Sequence, residues 1–416
     1  MISNLHCPRT TSLFSHLSNL VVLLTASLRL SGPVQAQDST LTRLVRQHRY
    51  EMTLTGKQFV GPGWDKLKQS IQKNQFVLVG EAHGTAQIPV FTAAVAQELK
   101  PAIFVAEIDS YAAQDLVRLT ARSGPPTNLL SQHPMALSFY SWAAEYDLAR
   151  TLQMQNVRLL GLDQVNFFTV GRFYAHLAEQ TKSQAAKATL RRWAAVYQAR
   201  DRATLKSATL DKMTMFAQSP AALDSLVASV QKESPAVRKM VEDYVASSKI
   251  YRASAGGHQQ RVNLMKFNLL QQLRPYQVRA GQPLPKMLFK FGANHMTRNL
   301  SFSGVFDLGS LALNLADAQN QTSLHVMIVG KQGSTTAGFN PDNPATNVVP
   351  YKPEAGDPSH LFYDLTGSSW SLFDLRPARR ALLSHKLQIA SQELETIILG
   401  YDYLVIIPET TGSLSY

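Results

Sequence analysis

Short apolar runs that stop on glycine or on an ionisable side chain, separated by stretches of helical periodicity, limit this chain more than any other feature. Phe76-Val77-Leu78-Val79 stops on Gly80, Ile103-Phe104-Val105-Ala106 on Glu107, and Val157-Arg158-Leu159-Leu160 on Gly161-Leu162-Asp163. Each run has the length and composition of a buried strand. Residues 90–99, 111–121 and 136–154 repeat apolar positions at helical spacing. Strand and helix in alternation predict an α/β fold with a mainly parallel central sheet flanked by helices. From 165 to about 273 the periodicity is almost wholly helical, with breaks near Ser219-Pro220, Ser234-Pro235 and Gly256-Gly257, and reads as a large helical insertion. Strand patterns return at 287–291, 325–329 and 403–407. The stretch 331–360, heavy in Gly, Pro, Asn and Thr, is too long for a plain connector and reads as a lid or as a surface excursion.

The first 36 residues have the order of a secretory signal peptide: Arg9, an apolar run over 20–28, then Val34-Gln35-Ala36 ahead of Gln37. The apolar run stops at Arg29, well short of the roughly 20 residues that span a bilayer, so no permanent membrane span is expected. Cleavage near Ala36 predicts a secreted or periplasmic protein, with residues 37–416 as one α/β domain. The only cysteine, Cys7, precedes the cleavage point, which leaves His, carboxylates, hydroxyls and Arg for any chemistry.

A net charge of +12 raises the question of a nucleic-acid partner. Lys182, Lys187, Arg191, Arg192, Arg200, Arg202 and Lys206, however, are spread along helical segments with Glu179, Asp201 and Asp211 among them. That is the pattern of a solvated helix face, so no nucleic acid is expected and the expected partner is a small-molecule substrate. Trp64, Trp142, Trp193 and Trp370 lack basic interleaving and read as core or pocket wall. No Gly-x-Ser-x-Gly elbow or Gly-x-x-x-x-Gly-Lys phosphate loop occurs.

Ligands of open parallel sheets bind outside the carboxyl ends of the strands, where loops converge and helix N-termini present free N–H groups. Four strand patterns here deliver ionisable side chains to that rim: Glu81 and His83 after the first, Glu107 after the second, Asp163 after the third, and Asn294-His295 after 287–291. His83 and His295 each close a Gly-x-x-His tetrapeptide. Asp163 has a second reading as a helix cap, as has one of Glu107, Asp109 and Ser110.

The string Val79-Gly80-Glu81-Ala82-His83-Gly84-Thr85 resembles the nucleophile-activating motif of the erythromycin esterase family, in the wider group that holds ChaN-type haem-binding proteins and Tiki-type metalloproteases. Phe104-Val105-Ala106-Glu107 is similar to the family's second strand and glutamate, and Trp142 with Glu145, then Leu160-Gly161-Leu162-Asp163, to its helix and third strand. Arg261, Met265 and Asn268 resemble its Arg-containing helix, Asn294-His295 its second histidine, and Tyr401-Asp402-Tyr403 the segment before its last strand. Two departures stand out. Glu81-Ala82-His83 has the shorter spacing of the ChaN and Tiki relatives, and Val262 replaces the acidic residue that commonly follows the helix arginine.

The resemblance implies a hydrolase in which His83, as general base, deprotonates water for attack on an ester or related acyl carbon. Glu81 or Glu107 would orient the imidazole, and His295 and Arg261 would polarise the carbonyl or protonate the leaving group. Asp163, Glu145 and Asn294 are the expected substrate-binding residues. That reading needs no cofactor. The alternatives within the wider group are a Tiki-like hydrolase with a divalent metal on His83, His295 and Glu107, and a ChaN-like protein that binds haem or another ligand.

Overall fold

The computed structural model describes residues 37–416 apart from 208, 254, 255, 277–281 and 355; the signal-peptide reading and Cys7 lie outside the described residues. Nine strands form one sheet in the order β2-β1-β10-β11-β7-β3-β6-β4-β5. They are β1 (Arg49–Thr55), β2 (Gln58–Val60), β3 (Phe76–Glu81), β4 (Ile103–Asp109), β5 (Arg158–Asp163), β6 (Met287–Gly292), β7 (Ser323–Gly330), β10 (Trp370–Asp374) and β11 (Tyr403–Ile407). The six strands from β11 to β5 run parallel, and β10, β1 and β2 add an antiparallel edge. The expected α/β fold is thus present, with that edge as an addition.

Alternation along the strands divides the core into two layers. Val77 and Val79 of β3, Leu288 of β6 and Phe104 of β4 face one apolar cluster, closed by the helices Pro62–Lys73, Gln87–Leu99, Ser110–Thr120 and Ala143–Met154. Phe76, Leu78, Phe289 and Val105 face the other, beneath the helices Gln37–Gln47, Gly257–Leu273, Leu308–Asp317 and Gln392–Gly400. Strands buried on both faces explain why the sequence shows apolar runs rather than polar alternation. Trp64, Trp142 and Trp370 are buried and Trp193 half-buried, as read.

The helical stretch carries an apolar cluster of its own, built from Phe173, Tyr174, Leu177, Leu190, Leu226, Val241 and Tyr244. Its breaks are helix starts: Ser219 and Ser234 accept N–H bonds three residues on, with Pro220 and Pro235 in the first turn. The last helix, Gly257–Leu273, differs, because it buries Val262, Met265 and Leu269 against the sheet.

One local reading needs correction. Residues 136–154 are not one helix: a short 3-10 turn, Ser138–Ser141, precedes Ala143–Met154, with Ser138 at positive φ and Trp142 extended between them. The stretch 331–360 holds an antiparallel pair, β8 (Gly333–Thr336) and β9 (Val348–Tyr351), docked on the His83 loop through Thr336 N–H to Gly84 O at 3.0 Å.

Candidate active site

β3, β6, β4 and β5 are neighbours, so their carboxyl ends make one continuous rim. Glu81 closes β3, Glu107 lies near the end of β4, Asp163 closes β5, and the turn of helix Ala293–Met296 after β6 carries His295. The rim therefore unites Glu81, His83, Glu107, Asp163, Arg261 and His295.

His83 stands between two carboxylates. Its Nδ1 lies 2.8 Å from Glu81 Oε1 and its Nε2 3.4 Å from Glu107 Oε2. Its ring stacks on Phe139 at 4.1 Å between centroids, a contact that the break before Trp142 makes possible. The side chain is 25% exposed, against 3% for Glu81 and 7% for Glu107, so the imidazole is the part of the group that solvent or a substrate can reach. Glycine is required around it. Gly84 has φ 86°, and a Cβ on Gly292 would stand 3.1 Å from His83 Nε2.

Glu107 is the hub. Its Oε2 accepts the Gly292 N–H at 2.7 Å, its Oε1 accepts an Arg261 Nη2–H at 2.7 Å, and Oε1 also lies 3.4 Å from His295 Nε2. Arg261 donates through Nε and Nη2 to the two oxygens of Asp163, at 2.9 and 2.5 Å, the planar fork that suits guanidinium and carboxylate. Asp163 is thereby an ion-pair partner as well as a local acceptor for the Gln164 N–H; the cap is Asp109, which accepts from Tyr111 and Ala112. His295 Nδ1 lies 2.9 Å from Asp307 Oδ2.

Behind Glu81 lies Lys290, a buried ammonium in the middle of β6 that donates to Glu81 and Glu145, each at 2.7 Å. Glu145 is 2% exposed and Asn294 3% exposed, the latter hydrogen bonded to Ser303. Glu145 Oε1 is paired with Lys290, whereas its Oε2 is buried without a hydrogen-bond partner.

Electrostatics set the charge state of the two imidazoles. Burial opposes charge on His83, but Glu107 and Glu81 overrule it and push its pKa up to about 10. The group rests as an imidazolium at neutral pH rather than titrating near it. His295 behaves alike: burial opposes the charge, Glu107 and Asp307 restore it, and the pKa rises to about 9. Burial raises Glu107, yet His295 and His83 hold it well below the usual carboxylate range. Burial carries Glu145 up to about 7 in spite of Lys290.

In the expected metal set His83, His295 and Glu107, a ligating Glu107 would also have to keep the Gly292 amide on one oxygen and the Arg261 guanidinium on the other. Sequence reasoning missed Lys290, Phe139, His258 and Asp307. A signal existed for the first alone, a lysine set inside Met287-Leu288-Phe289-Lys290-Phe291.

No family model and no curated protein matches this chain. Three solved structures share its fold over nearly full length. A Bacillus cereus protein is 15% identical with TM-score 0.53, over 91% of this chain and 99% of its own. A succinoglycan biosynthesis protein is 11% identical with TM-score 0.57, over 92% and 100%. An erythromycin esterase variant in its open conformation is 12% identical with TM-score 0.55, over 88% and 98%. Likeness at such identities is a likeness of fold.

Proposed function

We propose that this chain is an exported hydrolase of the erythromycin esterase-like type, in which His83 activates water for attack on an ester or related acyl carbon of a small-molecule substrate. The observation that carries the reading is the bracket itself: a partly exposed imidazole fixed at both nitrogens by buried Glu81 and Glu107, at the carboxyl rim where α/β sheets bind ligands. In its neutral form His83 would take a proton from water, and Glu81 at Nδ1 would hold the ring and balance the charge that forms. His295 and Arg261, on the far side of Glu107, would stabilise the developing oxyanion. Water activation assigned to an imidazole needs no cofactor.

The ionisation of His83 gives the test. A base whose pKa is raised is scarcer at neutral pH and, when present, stronger. Its neutral fraction grows about tenfold per pH unit until the pKa near 10 is reached, so kcat/KM on an ester found by panel screening should climb with pH through neutrality. A rate that falls across that range would assign activity to the imidazolium and overturn the base role.

A further inference from the structure

A second set of ligating side chains lies behind His295, outside the His83 bracket. Asp307 Oδ2 is 2.9 Å from His295 Nδ1 and 3.6 Å from His258 Nε2, and the three ligand atoms all fall within 4.8 Å of one another. Zinc-type ions hold nitrogen and oxygen at about 2.0–2.2 Å, which sets tetrahedral ligand atoms roughly 3.3–3.5 Å apart. Two sides of the triangle, 2.9 and 3.6 Å, lie within about half an ångström of that spacing, and the third is no longer than 4.8 Å. We propose that His258, His295 and Asp307 form a binding site for one divalent transition metal of the zinc class.

Three separate elements supply the set: the first turn of Gly257–Leu273, the turn after β6, and the residue before Leu308–Asp317. Asp307 is fully buried; its Oδ1 accepts the Leu308 N–H, and among the described residues its ion-pair partners are the two imidazoles. Its Oδ2 faces the two imidazoles, and His258 Nε2 also lies 3.3 Å from the Asn294 amide nitrogen, a contact that metal ligation would displace. On ligation His295 gives the Nδ1 proton to solvent and keeps Nε2–H toward Glu107, 3.4 Å away, the carboxylate contact that orients metal-bound histidines. Arg261 nearby is already neutralised by Glu107 and Asp163. Two imidazoles and one carboxylate favour zinc, copper or nickel over magnesium or calcium. His258 is 32% exposed, so water has access for a fourth ligand position.

The proposal shares His295 with the proposed hydrolytic site but is read without substrate. Chelator-stripped protein is titrated calorimetrically with Zn²⁺, and with Co²⁺ for the absorption of a tetrahedral nitrogen–oxygen site. One equivalent should bind to the wild type and to His83→Ala, while His258→Ala, a partly exposed position whose fold is checked by circular dichroism, should bind at least about 100-fold more weakly. Absence of saturable binding, wild-type affinity in His258→Ala, or loss in His83→Ala would each overturn it.

Discussion

Lys290 shows how one side chain sets the state of the rim. On β6 it occupies a position that shares a face with Leu288, yet it carries an ammonium that meets two buried carboxylates. Lys290→Met keeps the volume but strands Glu81 and Glu145, and breaking a buried pair by removing one partner costs about 3–5 kcal/mol. Urea unfolding should report a loss of that order, and a loss below about 1 kcal/mol would mean that the carboxylates are held by something else. Glu81→Gln acts at the other end of the chain of contacts. A neutral amide still holds the His83 ring but no longer stabilises its charge, so the His83 pKa falls and the ascending limb of the pH–rate profile moves to lower pH. A limb that stays in place would detach Glu81 from the ionisation of His83.

At the scale of elements, the inner parallel strands were legible because they are buried on both faces, and β3, β4 and β5 end in the carboxylates of the candidate site. β1 was not, since its mostly half-exposed or exposed side chains leave no apolar run. The helix over 136–154 was misread because apolar spacing continues through Tyr140 and Trp142, whereas a positive φ at Ser138 breaks the backbone there. That break presents Phe139 to His83, so a local failure of periodicity lies at the candidate site. The same limit hid His258 and Asp307, whose meeting with His295 depends on contacts between distant segments. Caps were half legible. One of Glu107, Asp109 and Ser110 was expected to serve, and Asp109 does, so Asp109→Ala should cost about 0.5–2 kcal/mol in thermal unfolding while Ser110→Ala costs little. Equal losses would contradict that assignment.

The whole molecule is a sheet rim overlain by helices and a docked hairpin. Most of the cations read as a solvated face, such as Arg191, Arg192 and Arg200, are indeed exposed, and Arg202 pairs with Asp342 of the 331–360 stretch. We propose that the mature protein begins near Gln37 and is exported; mass spectrometry of native material should then lack peptides with Arg9 or Arg29, and their recovery from folded protein would contradict it. The central claim, water activation by His83, is tested most directly by His83→Ala measured for turnover and melting on one preparation. Removal of a general base should lower kcat by about 10²–10⁴-fold. Because Glu81 and Glu107 keep Lys290 and Arg261, the variant should lose stability yet still fold cooperatively, which the melting curve checks. An unchanged kcat in a folded His83→Ala protein would contradict the account.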